Sequence, residues 1–239
     1  MIYNGEMKVA IISAYHGETL ETIRQCHDSV MAQTVRADHI LIGDGKSHDS
    51  IDDWDCQHVR LPEAHRDYGD TPRAIGTVMA RTQGYDYLCW LDADNWLEPD
   101  HIEMALKVST TVVVTMPRHL HWPDGRPLGV CNESNGLQFN DTNCYLVPRQ
   151  YMHLGMAWAF KPEGYDSAVG DRFVWDTFAR EATIARSEKA TINYTTTIAM
   201  HYLQRGLVPP PEAKVLVKQG DSPFVAMPYT MYLQLTGQV

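Results

Sequence analysis

Tyr85-Asp86-Tyr87-Leu88-Cys89-Trp90-Leu91-Asp92-Ala93-Asp94-Asn95 is the stretch on which the fold turns. Its apolar run is too short to cross a membrane, and it stops at two carboxylates one residue apart. Residues two apart in an extended chain share a face, so Asp92 and Asp94 project together from the carboxyl end of a buried strand. Open α/β sheets place their ligands at that edge. Two hard oxygen donors there suit Mg²⁺ or Mn²⁺ carrying a diphosphate. The plain alternative is that Asp94-Asn95 caps a helix starting near Pro99.

Upstream, Lys8 to Ser13 reads as a first buried strand. Thr19 to Gln33 follows with helical spacing of Leu20, Ile23, Cys26/His27 and Val30, capped by Glu18 or Thr19. His39 to Gly43 is a second strand ending at Asp44, and His58 to Leu61 a weaker third. The turn Gly69-Asp70-Thr71-Pro72 opens a helix over Arg73 to Gln83, with proline suited to its first turn. Strands separated by single helices predict right-handed crossovers and a mostly parallel sheet. Tyr15-His16, Asp44 and Asp92/Asp94 then fall along one carboxyl edge. No Gly-x-Gly-x-x-Gly turn follows the first strand, so a dinucleotide site is not expected.

Downstream the pattern is less regular. Thr110 to Met116 and Asn143 to Val147 read as strands. His119 to Asn135 reads as a polar loop long enough to be a substrate lid, Asp171 to Glu181 as an amphipathic helix, and Thr195 to Tyr202 as a last strand closing at His201.

The chain has 239 residues, 44% of them apolar, with six Trp, enough for one α/β domain with a well-buried core. A formal charge of −10, from 20 basic and 30 acidic side chains, disfavours nucleic acid and anionic membrane as partners. Five cysteines without a CxxC pair suggest a reduced, cytoplasmic chain. The amino-terminal residues show no signal-peptide pattern, and no apolar run reaches membrane-span length.

In their order and spacing these blocks resemble the family 2 glycosyltransferases, from about residue 8 to 205. Ile11-Ile12-Ser13-Ala14-Tyr15-His16-Gly17-Glu18 is similar to the opening strand of that family. His39 to Asp49 is similar to its second strand and acidic turn, and Pro72-Arg73-Ala74-Ile75-Gly76 to its Ala-Arg-Asn-x-Gly block. Leu91-Asp92-Ala93-Asp94-Asn95 is similar to its DxD motif, and Gly170-Asp171-Arg172 to its acceptor-side acidic motif. Three departures stand out: Gly43 precedes Asp44 where the family has a second acid, Ala74 replaces an asparagine, and Gly170 replaces a glutamate.

The resemblance implies a GT-A fold: a Rossmann-like, mostly parallel sheet flanked by helices, with a smaller, mixed acceptor-side region. It implies one glycosyltransferase domain over 1–207, with a nucleotide-sugar half over 1–116 and an acceptor half over 117–207. Residues 208–239 form an extension, packed on the domain or acting as a lid. The activity implied is metal-dependent, inverting transfer of a hexosyl or N-acetylhexosaminyl group. The donor is a nucleotide-diphosphate sugar, UDP-sugar favoured, and the acceptor a hydroxyl on a glycan, glycolipid or small molecule. The cofactor is Mn²⁺ or Mg²⁺, and an oligomer is compatible with the sequence. A catalytically silent nucleotide- or sugar-binding module and a nucleotide-sugar hydrolase are the alternatives. A nucleotidyltransferase would carry a glycine-rich, lysine-bearing loop after the first strand, which Ala14-Tyr15-His16-Gly17 is not.

By the same resemblance Asp94 and His201 hold the metal, Asp171 is the base, and Ala14, Tyr15, Asp44, Arg73, Asp92 and Asp94 border the donor. Trp122, Asn143 and Arg172 are placed on the acceptor side. Each has a plainer reading: strand-end packing for Tyr15, a solvated helix face for Arg73, a helix cap for Asp171, and a part-buried strand-end histidine for His201. His119 and His121 lack a nearby acid and are expected to line the acceptor or serve structure.

Overall fold

The computed structural model describes residues 7–161, 170–218 and 224–237. Its first half runs β1 (Val9–Tyr15), α1 (Leu20–Met31), β2 (Asp38–Asp44), a 3-10 helix (Asp49–Asp53), β3 (Gln57–Leu61), α2 (Asp70–Thr82) and β4 (Tyr87–Trp90). Then come β5 (Trp96–Leu97), α3 (His101–Val108), β6 (Val113–Thr115), β7 (Arg118–His121), β8 (Pro127–Val130) and β9 (Tyr145–Pro148). A long 3-10 helix (Arg149–Trp158), α4 (Gly170–Glu181), β10 (Ile184–Arg186), β11 (Ile192–Thr195) and α5 (Ala199–Leu203) follow. The last elements are β12 (Lys214–Lys218), β13 (Phe224–Pro228) and α6 (Tyr229–Thr236).

Seven strands form the main sheet in the order β10-β6-β9-β4-β1-β2-β3. β1 pairs in parallel with β2 on one side and β4 on the other, and β2 with β3, as the alternation of strands and helices predicts. Only β9 runs against its neighbours β4 and β6. The central strands β1, β2 and β4 are buried along almost their whole length because both faces are covered. Ala10, Ile12, Leu88 and Trp90 turn to a core shared with Ala74, Ala80, Trp158 and Phe178. Val9, Ile11, Cys89 and Leu91 turn the other way, to Cys26, Val30, Ile102 and Ala105. Trp90, fully buried, meets Tyr145, Trp158 and Phe178 edge-on at 5.8, 5.8 and 6.1 Å between ring centroids. Its indole N–H donates to Thr77 Oγ1 at 3.2 Å, so burying it leaves no orphaned donor.

Helix α1 begins where the sequence places it, with Thr19 Oγ1 accepting from the Thr22 amide at 3.2 Å. Asp94 and Asn95 do not cap α3. That helix starts at His101 with Asp100 at its N-cap, while Asn95 is buried and its Oδ1 accepts from the Thr195 amide at 3.0 Å.

Two readings of the second half are corrected. Residues 119–135 are not one open loop: β7 and β8 form a hairpin around Asp124-Gly125, in a second sheet of order β5-β11-β7-β8. Gly125 supplies the positive φ of 83° that the turn requires. The strand read over Thr195 to Tyr202 ends at Thr195, and the chain coils into α5, which carries His201. β12 and β13 form a separate antiparallel pair. Val215 and Tyr229 of this tail pack with Trp122 and Leu128 against Ala199, Tyr202 and Ala213.

Gly76 lets α2 lie close on the sheet: a Cβ there would overlap Ile12 Cγ2 and sit 3.1 Å from Ile42 Cδ1. Gly76→Ala would gain up to about 1 kcal/mol in an open helix, but overpacking here costs about 1–3 kcal/mol. A net loss of stability in urea unfolding is expected; a variant more stable than the parent would show that α2 has room to spare.

Candidate functional site

Three strand ends and one helix start enclose a cavity of about 520 Å³. β1 supplies Ala14 and Tyr15, β2 supplies Asp44, the turn after β4 supplies Asp92, Ala93 and Asp94, and α2 supplies Arg73. All six residues expected to border a donor therefore share one wall-to-wall space. The remaining walls come from His16 and Glu18 after β1, from Arg66, Tyr68 and Gly69 before α2, and from Tyr194 of β11.

Asp92 is clamped from two sides. Arg73 Nη2 donates to Asp92 Oδ1 at 2.5 Å, and Asn143 Nδ2 donates to Asp92 Oδ2 at 2.9 Å. The Asp92 amide in turn donates to Asn143 Oδ1 at 2.5 Å. Asn143 Nδ2 also reaches Asp141 Oδ1 at 2.8 Å, and Asp141 pairs with the buried Arg118 at 2.5 Å. Burial alone would push the Asp141 carboxyl up, yet Arg118 and the Asn143 hydrogen bonds hold it below the usual carboxylate range. On its other side Arg73 donates from Nη1 to the Tyr68 carbonyl at 2.8 Å and faces Asp70, which is also paired with Lys161.

Asp94, two residues on, is left out of this chain. It is exposed to the cavity, and among the described residues no side chain pairs with it. The surrounding protein, then the charges of Asp92 and Glu18, push its carboxyl up to about 7. Such a carboxylate, crowded by other negative charge, is stabilised by a bound cation.

Asp44 accepts from the His65 amide at 3.1 Å and from His65 Nδ1 at 2.6 Å. Tyr15 is 2% exposed, and its hydroxyl meets His58 Nε2 at 2.6 Å, so it forms a wall rather than a free stacking ring. The first departure from the family pattern has its reason here: a Cβ at Gly43 would lie 2.8 Å from the Tyr15 hydroxyl. The departure at Gly170 is similar, since a Cβ there would lie 2.8 Å from Asp70 Oδ2.

The other expected site residues lie outside the cavity lining. Asp171, in the first turn of α4, accepts from the Arg172 amide at 2.8 Å. Burial, then the nearby Asp141 charge, raises its carboxyl to about 7, the Arg172 charge opposing. Arg172 stacks over Phe139, 4.7 Å from the ring centroid. His201 is 2% exposed on α5, its Nδ1 2.6 Å from Thr196 Oγ1 and its Nε2 3.6 Å from Glu133 Oε2. Its ring meets Tyr194 edge-on at 6.3 Å, one ring behind the cavity wall. Trp122 packs on Tyr202 at 4.6 Å and under Arg126, within the cluster that receives the tail. Asn143, expected on the acceptor side, instead holds Asp92. His121 Nε2 bonds Asn193 Oδ1 at 2.8 Å, a structural role.

Residues 9–119 match the family model described as Glycosyl transferase family 2. The folded geometry agrees. The chain is similar to the family 2 glycosyltransferases over these residues and carries the GT-A fold. EpsH of Bacillus subtilis (strain 168), named as a glycosyltransferase, is 25% identical over 104 residues, which are 41% of this chain and 29% of EpsH. S. aureus TarS 1–349 superposes with a TM-score of 0.61 at 14% identity, over 79% of this chain and 60% of that one. A complex of TarS 1–349 with UDP-GlcNAc gives 0.57 at 12%, over 80% and 59%. The chain thus spans under a third of the curated relative and about three-fifths of the solved ones. No helix of the described residues is long and apolar enough to cross a membrane.

A divalent cation fits the donor set. Among the described residues no group of three or more His, Cys, Asp or Glu is arranged to cage a metal. Mg²⁺ and Mn²⁺ do not need one: Mg²⁺ is commonly held by one or two carboxylates together with substrate phosphates and water. Asp94, unpaired and beside Asp92, provides that arrangement.

The raised Asp171 carboxyl has a consequence for stability. Its unfolded value is near the ordinary ~3.9. Between about 4 and 7 the folded protein holds a proton that the unfolded chain has lost, so stability falls as pH rises through that window. Asp171→Asn is therefore expected to raise Tm at pH 8 and to leave it little changed at pH 4. A lower Tm for the variant at pH 8 would contradict this placement.

Proposed function

We propose that this protein is a metal-dependent, inverting glycosyltransferase that uses a nucleotide-diphosphate sugar, with UDP-sugar favoured. The observation that carries the reading is the cavity at the carboxyl edge of the sheet, where Asp92 is clamped and Asp94 is free. The complex of TarS with UDP-GlcNAc supports the uridine preference, and a hexosyl or N-acetylhexosaminyl group is the matching cargo. The acceptor is a hydroxyl entering from the half formed by residues 117–207, with Ala213, Val215 and Tyr229 of the tail packed against that half.

In this reading Asp44 and Tyr15 bound the nucleoside, and Asp92 accepts a hydrogen bond from the ribose or the donor sugar, its direction set by Arg73 and Asn143. Asp94 would hold Mn²⁺ or Mg²⁺ beside the donor phosphates, while His201, expected as a second ligand, lies behind the Tyr194 ring against Thr196 and Glu133. When bound, the cation supplies positive charge to the departing diphosphate. Asp171 removes the proton from the acceptor hydroxyl as that oxygen attacks the anomeric carbon from the face opposite the diphosphate. The new glycosidic C–O bond forms, the bond to the diphosphate oxygen breaks, and its electron pair leaves with the nucleotide. A base near 7 is well matched to this work at neutral pH.

Calorimetric titration with UDP, GDP, dTDP and CMP, with Mn²⁺ and with chelator, tests the donor half. One nucleotide is expected to bind in a Mn²⁺-dependent way, and Asp94→Asn is expected to lose it. Absence of binding by a folded protein would reduce the strand-end acids to structural groups. In the acceptor half, Asp171→Asn should cut transfer by about 10²–10⁴-fold while donor binding persists. Wild-type kcat/KM should rise with pH through about 7 as Asp171 ionises; a flat profile across pH 6–8 would place the base elsewhere.

A further inference from the structure

The loop between β3 and α2 holds its backbone in an unusual path. Arg66 and Tyr68 have φ of 56° and 59°, and Gly69 follows at 86°. Left-handed backbone is disfavoured for residues with a Cβ, and it persists only where the surroundings enforce it. Here they do. His65 is fixed by the Asp44 carboxylate through both its amide and its Nδ1. Asp67 Oδ2 accepts from the Thr71 amide at 2.9 Å and from Thr71 Oγ1 at 2.6 Å, closing the first turn of α2. The Tyr68 carbonyl is held by Arg73, the residue that also clamps Asp92.

What these pins present is two uncommitted side chains. Both Arg66 and Tyr68 line the cavity, and Tyr68 is 63% exposed at it. Among the described residues neither side chain makes a hydrogen bond, ion pair or ring contact. Arg73, the other arginine of the lining, is engaged with Asp92 and the Tyr68 carbonyl. Glu18, Asp44, Asp92 and Asp94 make the walls acidic. A diphosphate entering such a space needs positive charge from the protein as well as from a cation. A free guanidinium offers it in a planar fork that matches phosphate oxygens.

We propose that Arg66 is the side chain that grips the donor diphosphate, and that the left-handed backbone at Arg66 and Tyr68 is retained to aim it into the cavity. This rests on the nucleotide reading of the site. It ties recognition of the phosphates to Asp92 through Arg73, so the loop and the strand-end acids are set together.

The test compares each nucleoside diphosphate with its own nucleoside (UDP with uridine, GDP with guanosine, dTDP with thymidine, CDP with cytidine) by calorimetry in Mn²⁺. In wild type one diphosphate is expected to bind more tightly than its nucleoside. Arg66→Ala is expected to weaken the diphosphate by about ten- to a hundredfold and to leave the nucleoside unchanged. Arg66→Lys should restore part of the loss. Arg66→Gly should show the same loss with an unchanged or higher Tm, because glycine relaxes the strained backbone. An unaltered preference for the diphosphate in Arg66→Ala, or equal weakening of both ligands, overturns the assignment. If wild type binds no nucleoside and no diphosphate, the nucleotide reading itself falls, and the role of Arg66 with it.

Discussion

The structure depends on how Asp92 is held. A carboxylate at the end of a buried strand is costly unless its charge and lone pairs are met. Arg73 meets one oxygen and Asn143 the other, while the Asp92 amide returns a hydrogen bond to Asn143. These contacts join α2, the end of β4 and the turn before β9. Through Asp141 and Arg118 they extend to the second sheet, so one charge chain ties both sheets beneath the cavity floor. Both carboxylates in it, Asp92 and Asp141, meet an arginine and an asparagine amide, whereas Asp94 faces open space.

The first half of this architecture was legible because its signals are local. Buried parallel strands read as unbroken apolar runs, and β1, β2 and β4 lie within a residue or two of their expected bounds. Helix α2 was seen from its proline, though it starts at Asp70 rather than Arg73, and the three strand ends were correctly brought to one edge. The second half was harder because its elements are held by distant partners. β7 has the pattern of a polar loop because Leu120 is its one apolar residue, between His119 and His121, and the burial of Arg118 at its start is made possible by the distant Asp141. His201 looked like a strand terminus, yet Thr196 Oγ1 accepts from the Ile198 amide at 3.1 Å and turns the chain into α5.

The site divides along the same line. Residues at strand ends could be named from sequence, whereas the role of Asn143 could not, since its partner lies 51 positions away. Arg66 and Tyr68 gave no periodic or motif signal, because strain at a loop residue is a property of φ and not of composition. Two departures from the family pattern became intelligible in three dimensions: Gly43 makes room for the Tyr15 hydroxyl, and Gly170 for the Asp70 carboxylate. Ala74, the third, is buried in the core against the sheet.

In the proposed function two neighbouring acids divide the labour: Asp92 is fixed by protein, and Asp94 is left for a cation. Anomalous diffraction from crystals grown with Mn²⁺ and UDP tests it most directly. A Mn²⁺ peak is expected touching the Asp94 carboxylate inside the cavity, with Asp92 still bonded to Arg73 and Asn143. A peak elsewhere, or Asp92 released from both partners to bind the ion in place of Asp94, would contradict it.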